Sequence, residues 1–298
     1  MDSLSRVENP PLSEKEELLD KITALLEKTN PAPGALRQKL AIFKRLAPNL
    51  VTEVHADFLN SKRDDEIRTP PGETPRFADK AAVIRGRIFE MLVIAEFGRN
   101  QPVSEELVSL MKDPGRFSLE KELMQYRTPD LAFIEVDEAT GDLIVRSAGE
   151  AKAGKLDHRA LQQLGPRGFI HSFEIMGQVV NATPDLEQHG LLELARTAKK
   201  IRIADDFAQI IFLPSDRSLK KGDLKKLLRR DLYPKAKAEF LKLLADSRKL
   251  TLKRSSFSLP EIAGIADLVI AAIDARTTAP TVPNTPPTRF TTPHPGHP

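Results

Sequence analysis

The order of residue patterns predicts an α/β protein: a mixed central sheet flanked by helices, with helical additions at both ends. Three observations carry that expectation. A hairpin signal sits mid-chain, where Leu131-Ala132-Phe133-Ile134-Glu135-Val136 and Leu143-Ile144-Val145 flank a turn at Asp137 to Gly141. A further β-rich run, Ala208 to Leu213, follows beyond helical sequence. Apolar residues at helical spacing dominate before the hairpin and again near the chain end.

Residues 1–77 read as helical with proline breaks. Ser13-Glu14-Lys15-Glu16 is a capping box, because serine and glutamate three apart can each satisfy the other's backbone N–H. Leu18, Leu19, Ile22, Leu25 and Leu26 then share one helix face. A second helix is expected from about Gly34 to Leu46, and the run Arg68 to Pro75 reads as a linker. Residues 78–215 mix helix and strand: a long helix from about Ala78 to Phe97, a shorter one from Ser104, the hairpin, a helix at about Leu156 to Leu164, and the strand ending at Leu213. Residues 216–275 read as helix, basic first and then apolar, with Ser258-Leu259-Pro260-Glu261 capping the last helix. Residues 276–298 hold 7 Pro and 7 Thr and read as a disordered or polyproline-like tail.

Composition narrows the function classes. At 298 residues, 40% apolar and 29% charged, the chain suits a soluble globular protein of one large or two small domains. Cysteine is absent, which excludes disulfide scaffolds, thiolate zinc sites and cysteine nucleophiles. Tryptophan is absent too, and aromatics at 5% leave few stacking platforms for single strands. The first twenty residues lack the apolar run of a signal peptide, and the most apolar stretch, Ile262 to Ile273, is short and interrupted by Asp267. The expectation is a cytoplasmic protein with no membrane partner, export without a cleaved signal being left open.

The net charge of +3 conceals a partition. Ser218 to Arg254 carries +9, leaving −6 over the other residues. In that window Lys220, Lys221, Lys225, Lys226, Arg229 and Arg230 accompany Leu219, Leu224, Leu227, Leu228 and Leu232, as in an amphipathic helix. Such a helix is either a solvated face or a contact with a phosphate backbone; the latter is the reading adopted here.

The chemistry concentrates around the hairpin. Asp130 stands at the start of its first strand, after Pro129, while Glu150 and Lys152 stand at the end of its second. A tight hairpin brings these ends together, and Glu150 and Lys152, two apart, share a face. Two carboxylates and an ammonium at one sheet edge suit metal-assisted phosphodiester hydrolysis, with hard oxygen ligands for Mg²⁺ and a cation for developing charge.

Pro129-Asp130, followed after 19 residues by Glu150-Ala151-Lys152, resembles the PD-(D/E)XK, or restriction-endonuclease-like, nuclease superfamily. The resemblance covers roughly residues 80–215. It implies a restriction-endonuclease-like core with Mg²⁺, replaceable by Mn²⁺, held by Asp130, Glu150 and the Ala151 carbonyl. Lys152 then serves the nucleophile and transition state. Arg85-Gly86-Arg87-Ile88-Phe89-Glu90 looks like the acidic helix motif of Holliday-junction resolvases, which makes Glu90 a further acid of the cluster. Gln162 and Gln163 match the family's glutamine after the lysine strand. The resemblance favours DNA over RNA and, since many relatives dimerise to cut both strands, a homodimer. The family also places a strand between the first helix and the Pro-Asp strand, whereas residues 99–126 read mostly helical. The N-terminal helices are a candidate partner module.

Rival readings share these residues. Gly149-Glu150-Ala151-Lys152-Ala153-Gly154-Lys155 fits the P-loop pattern, although Leu156 replaces the magnesium-binding hydroxyl. A non-catalytic nucleic-acid-binding protein on the same fold, a pure interaction protein, and a surface hairpin with ordinary charges are the others. Glu96 is the competing acid of the long helix, about 240° around from Glu90. The six histidines are scattered without zinc-ligand spacing.

Overall fold

Alternation along the strands builds the molecule around one sheet with two apolar faces. The computed structural model describes residues 12–30, 32–69, 74, 79–98, 102–112, 128–154, 168–183, 185–189, 191–197, 200–219 and 249–278. The helix expected at Leu156 to Leu164, Gln162, Gln163, the basic run Lys220 to Arg230 and residues 279–298 lie outside the described residues.

The helices are α1 (Leu12–Thr29), α2 (Pro33–Leu46), α3 (Leu50–Arg68), α4 (Lys80–Phe97), α5 (Pro102–Lys112), α6 (Phe169–Ala182), α7 (Leu192–Thr197) and α8 (Leu259–Thr278). The strands are β1 (Leu131–Val136), β2 (Leu143–Ala151), β3 (Ile201–Leu213) and β4 (Leu250–Arg254), in the spatial order β1-β2-β3-β4. β1 runs antiparallel to β2, whereas β2, β3 and β4 run parallel. The sheet is therefore mixed and flanked by helices, and the hairpin falls where its apolar runs and turn residues place it.

One face carries Ala132, Val145, Ala148, Ile211 and Leu213 against residues of α5, α6 and α7, such as Leu107, Phe173 and Leu194. The other carries Leu131, Ala151, Ile210 and Phe212 against residues of α1, α2, α3, α4 and α8, including Ile22, Phe43, Val54, Phe89 and Ile265. Ile210 to Leu213 are all buried, the mark of a strand covered on both sides. The N-terminal helices thus share one core with α4 and α8.

Two expectations change. Residues 250–254 were expected to be helical but form β4. Leu250-Thr251-Leu252-Lys253 alternates with a period of two, so its apolar side chains reach one face of a sheet but not one face of a helix. Likewise β3 begins at Ile201, seven residues before the expected start at Ala208. Its early part is interrupted by a bulge: register passes from Val145↔Ile203 to Ser147↔Ala208, and exposed Asp205 and Asp206 blur the apolar signal.

A buried ion pair locks the helical layer. Glu261, 1% exposed at the start of α8, pairs with Lys39 of α2, which is 6% exposed. Lys39 Nζ lies 2.7 and 2.9 Å from the two carboxylate oxygens. Thr29 Oγ1 and Asn30 Nδ2, at the end of α1, donate to Oε1 at 3.0 and 2.5 Å. Ser258 donates its N–H to Oε2 at 2.7 Å, as the capping box requires, and its hydroxyl at 2.8 Å. Burial pushes the Glu261 pKa up, but hydrogen bonds from Lys39, the Ser258 N–H and Asn30 outweigh it and hold the carboxyl at about 2, below its ordinary 4.5.

Glu261→Gln leaves Lys39 charged, buried and without its counter-charge, and should cost about 3–5 kcal/mol in urea unfolding. Because the folded pKa is depressed, the contribution of Glu261 is present above pH 4.5 and lost as pH falls toward about 2. Circular dichroism should show an acid destabilisation in that window which Glu261→Gln lacks.

Candidate active site

The carboxyl ends of β2, β3 and β4 and the start of β1 meet at one edge of the sheet. Ala148 faces α6, and Gly149 faces the other layer, where an added Cβ would stand 2.3 Å from Phe212 Cε2. Glu150 therefore returns to the α6 face, and Ala151 packs toward α4. The strand needs a glycine at 149 because the Phe212 ring, tilted against Phe97 with centres 4.9 Å apart, fills that space. Glu150 is 4% exposed, and its carboxylate pairs with the Lys152 ammonium on the same face.

Asp130 is tied to this strand end twice. Its N–H donates to the Gly149 carbonyl at 2.9 Å, and its Oδ2 accepts the Ala151 N–H at 2.7 Å. A residue's N–H and C=O point to the same side of its strand, so the Ala151 carbonyl faces the side on which Asp130 holds the N–H. Two carboxylates thus flank Ala151, one from β2 itself and one from the residue before β1.

This donor set fits a hard divalent cation, which takes one or two carboxylates and keeps several waters. No third acid or histidine joins: among the described residues no group of three or more could hold a metal ion. Glu90, the further acid expected here, has a cation of its own. Glu90 lies on α4, which covers the sheet face opposite to Glu150. It pairs with Arg87 at 2.5 Å, and Arg87 also binds Asp57 of α3, which draws the pair toward the helical layer. Glu96 is engaged as well, accepting from Ser255 Oγ at 2.6 Å and the Ser256 N–H at 2.9 Å.

The P-loop pattern meets a plain obstacle. Gly149 to Ala151 are ladder-paired residues of β2, where a phosphate-cradling loop would need free N–H groups. The missing family strand does not appear either: among the described residues between Phe97 and Asp130 only α5 is regular.

Gln209 escaped sequence reasoning. It sits on β3 opposite Ala148, on the Glu150 face, and is 2% exposed. Its Oε1 has no hydrogen-bond partner among the described residues. The available signal was one amide inside the apolar run Ala208 to Leu213, because a polar side chain in a doubly covered strand needs a reason. Among the described residues, no helix is long and apolar enough to cross a membrane.

Compared with known protein families, with curated proteins and with solved structures, the chain matches none.

Asp130→Asn keeps an acceptor for the Ala151 N–H, whereas Asp130→Ala leaves that N–H without one. Thermal unfolding should therefore show Asp130→Ala destabilised by about 1–2 kcal/mol and Asp130→Asn by less than half as much. Equal losses would mean that the hydrogen bond does not hold the strand end.

Proposed function

We propose that the protein is a metal-dependent nuclease that hydrolyses phosphodiester bonds, with DNA the favoured substrate. The observation that carries this reading is the pair of carboxylates, Asp130 and Glu150, flanking Ala151 with Lys152 beside them at the carboxyl edge.

Asp130, Glu150 and the Ala151 carbonyl would hold Mg²⁺ or Mn²⁺. When bound, the ion supplies polarisation of the scissile phosphate and a more acidic water. Water forms a new P–O bond as the bond to the leaving sugar oxygen breaks, and that oxygen takes up a proton. Lys152 lies on the Glu150 face and stabilises the negative charge that builds on the phosphoryl oxygens. Asp130 also positions the strand end, so its role is both ligand and brace. In this reading Gln162 or Gln163 orients the site, and the basic run Lys220 to Arg230 binds the backbone. The two parallel pairings after the hairpin support the reading, because α/β sheets bind ligands beyond the carboxyl ends of their strands.

The test is cleavage of supercoiled plasmid by the full chain. Activity should need Mg²⁺ or Mn²⁺ and stop with EDTA. Asp130→Ala, Glu150→Ala and Lys152→Ala should each lower kcat by about a hundredfold or more, as loss of a transition-state charge partner does. Lys155→Ala should retain activity, which a P-loop enzyme would lose. Cleavage that persists in EDTA, or that all three variants leave intact, sinks the proposal.

A further inference from the structure

Past Lys152, the sheet edge continues in register. The Lys152 N–H donates to the Phe212 carbonyl at 3.0 Å, extending the Ala151↔Phe212 pairing by one residue, so Lys152 stands level with Leu213. Leu213 in turn pairs with Arg254 at the end of β4. Residues level with one another across a sheet share a face. Lys152, Leu213 and Arg254 therefore form one row on the Glu150 face, and two strand spacings separate the cations by about 10 Å.

Arg217 reaches the same strand end from the turn after β3. It is half-buried, and its Nη1 donates to the Ala153 carbonyl at 3.2 Å, one residue beyond Lys152. The turn is fixed, since Asp216 Oδ1 accepts the Leu259 N–H at 2.8 Å. Neither Arg217 nor exposed Arg254 enters an ion pair among the described residues. The other arginines of the sheet are neutralised: Arg146 by Glu135 and Asp206, and Arg202 by Asp137. Lys152 shares its charge with Glu150, whereas the two arginines, without ion pairs among the described residues, have their Coulomb energy available for a ligand.

We infer that Arg217 and Arg254 extend Lys152 into a phosphate track along the carboxyl edge, along which the backbone of a polynucleotide runs from β4 toward Glu150. The inference rests on the nuclease reading for its substrate class. A strand laid along the row passes Arg254 before it reaches Lys152 and the Glu150 that shares its charge. Both arginines are binding residues and not part of the chemical step.

Binding of a fluorescein-labelled duplex oligonucleotide to the full chain, followed by anisotropy in EDTA, tests the track without cleavage. Arg217→Ala and Arg254→Ala should each reduce the log–log salt slope by about one. Between about 50 and 200 mM salt each variant then loses about threefold less affinity than the wild type. Arg217→Lys and Arg254→Lys should restore the slope, because counterion release counts charge. Arg146→Ala, at the far end of β2 and already neutralised, should leave it unchanged. In cleavage assays the two alanine variants should raise KM with kcat within about twofold.

The track is overturned by a wild type without salt-dependent binding, by unchanged slopes in both alanine variants, by equal flattening in Arg146→Ala, or by lysine variants that fail to restore the slope. Failure of the nuclease reading looks different: the slopes shift as expected while metal-dependent cleavage is absent.

Discussion

The Lys39–Glu261 pair is the constraint on which the rest of the molecule hangs. A carboxylate that is 1% exposed is tolerable only because donors from Thr29, Asn30, Lys39 and Ser258 converge on it. Those donors come from the end of α1, from α2 and from the entry to α8, so one charge fixes three helices. Gly264, one turn further along α8, lets Leu25 of α1 approach within 2.8 Å of where a Cβ would stand. Apolar packing alone would hold these helices together but would leave their axial positions loosely specified; a directional, desolvated network sets them.

That registration reaches the candidate site through the backbone. Ser258 caps α8, and its neighbour Phe257 accepts the Ser215 N–H at 2.8 Å just after β3. The Ser255 N–H donates to the Leu213 carbonyl at 2.8 Å, and Arg217 reaches back to Ala153. The strand ends are thus pinned to the helix start, and the helix start to the buried charge. At the other side of β2, Pro129 and Asp130 decide the local chemistry. Proline withholds an N–H, and the aspartate side chain supplies the acceptor for the Ala151 N–H.

Much of this was legible in the sequence, for physical reasons. The hairpin announced itself through apolar runs around a turn, and Glu150 and Lys152 share a face because strands alternate. The Ser258–Glu261 capping box formed, but its glutamate gained a second task, since no local rule couples residue 261 to Lys39 some 220 positions away. β4 was hidden inside a lysine-rich stretch whose pattern suggested a basic amphipathic helix, while Leu250 and Leu252 carried a strand's period. Glu90 matched a motif by its spacing on α4, whereas its pairing with Arg87, which in turn leads to α3, comes from packing that no spacing shows. Arg254 gained meaning only from register, a long-range property that no window of sequence contains.

β4 has a consequence beyond ligand binding. Among the described residues it is the outermost strand, five residues long, and its outer half is Lys253 and Arg254. An unpaired strand edge is a template for joining another sheet, and charged residues on a short edge are the usual defence. Two copies adding sheet to sheet here would crowd their cations into one ladder. Lys253 is further occupied over the Phe97 ring, 5.1 Å from its centre, so it cannot easily swing aside. The charge pattern that would welcome a polyanion therefore also discourages fibre-like growth. Replacing those cations for tighter or looser binding would alter colloidal behaviour as well as affinity.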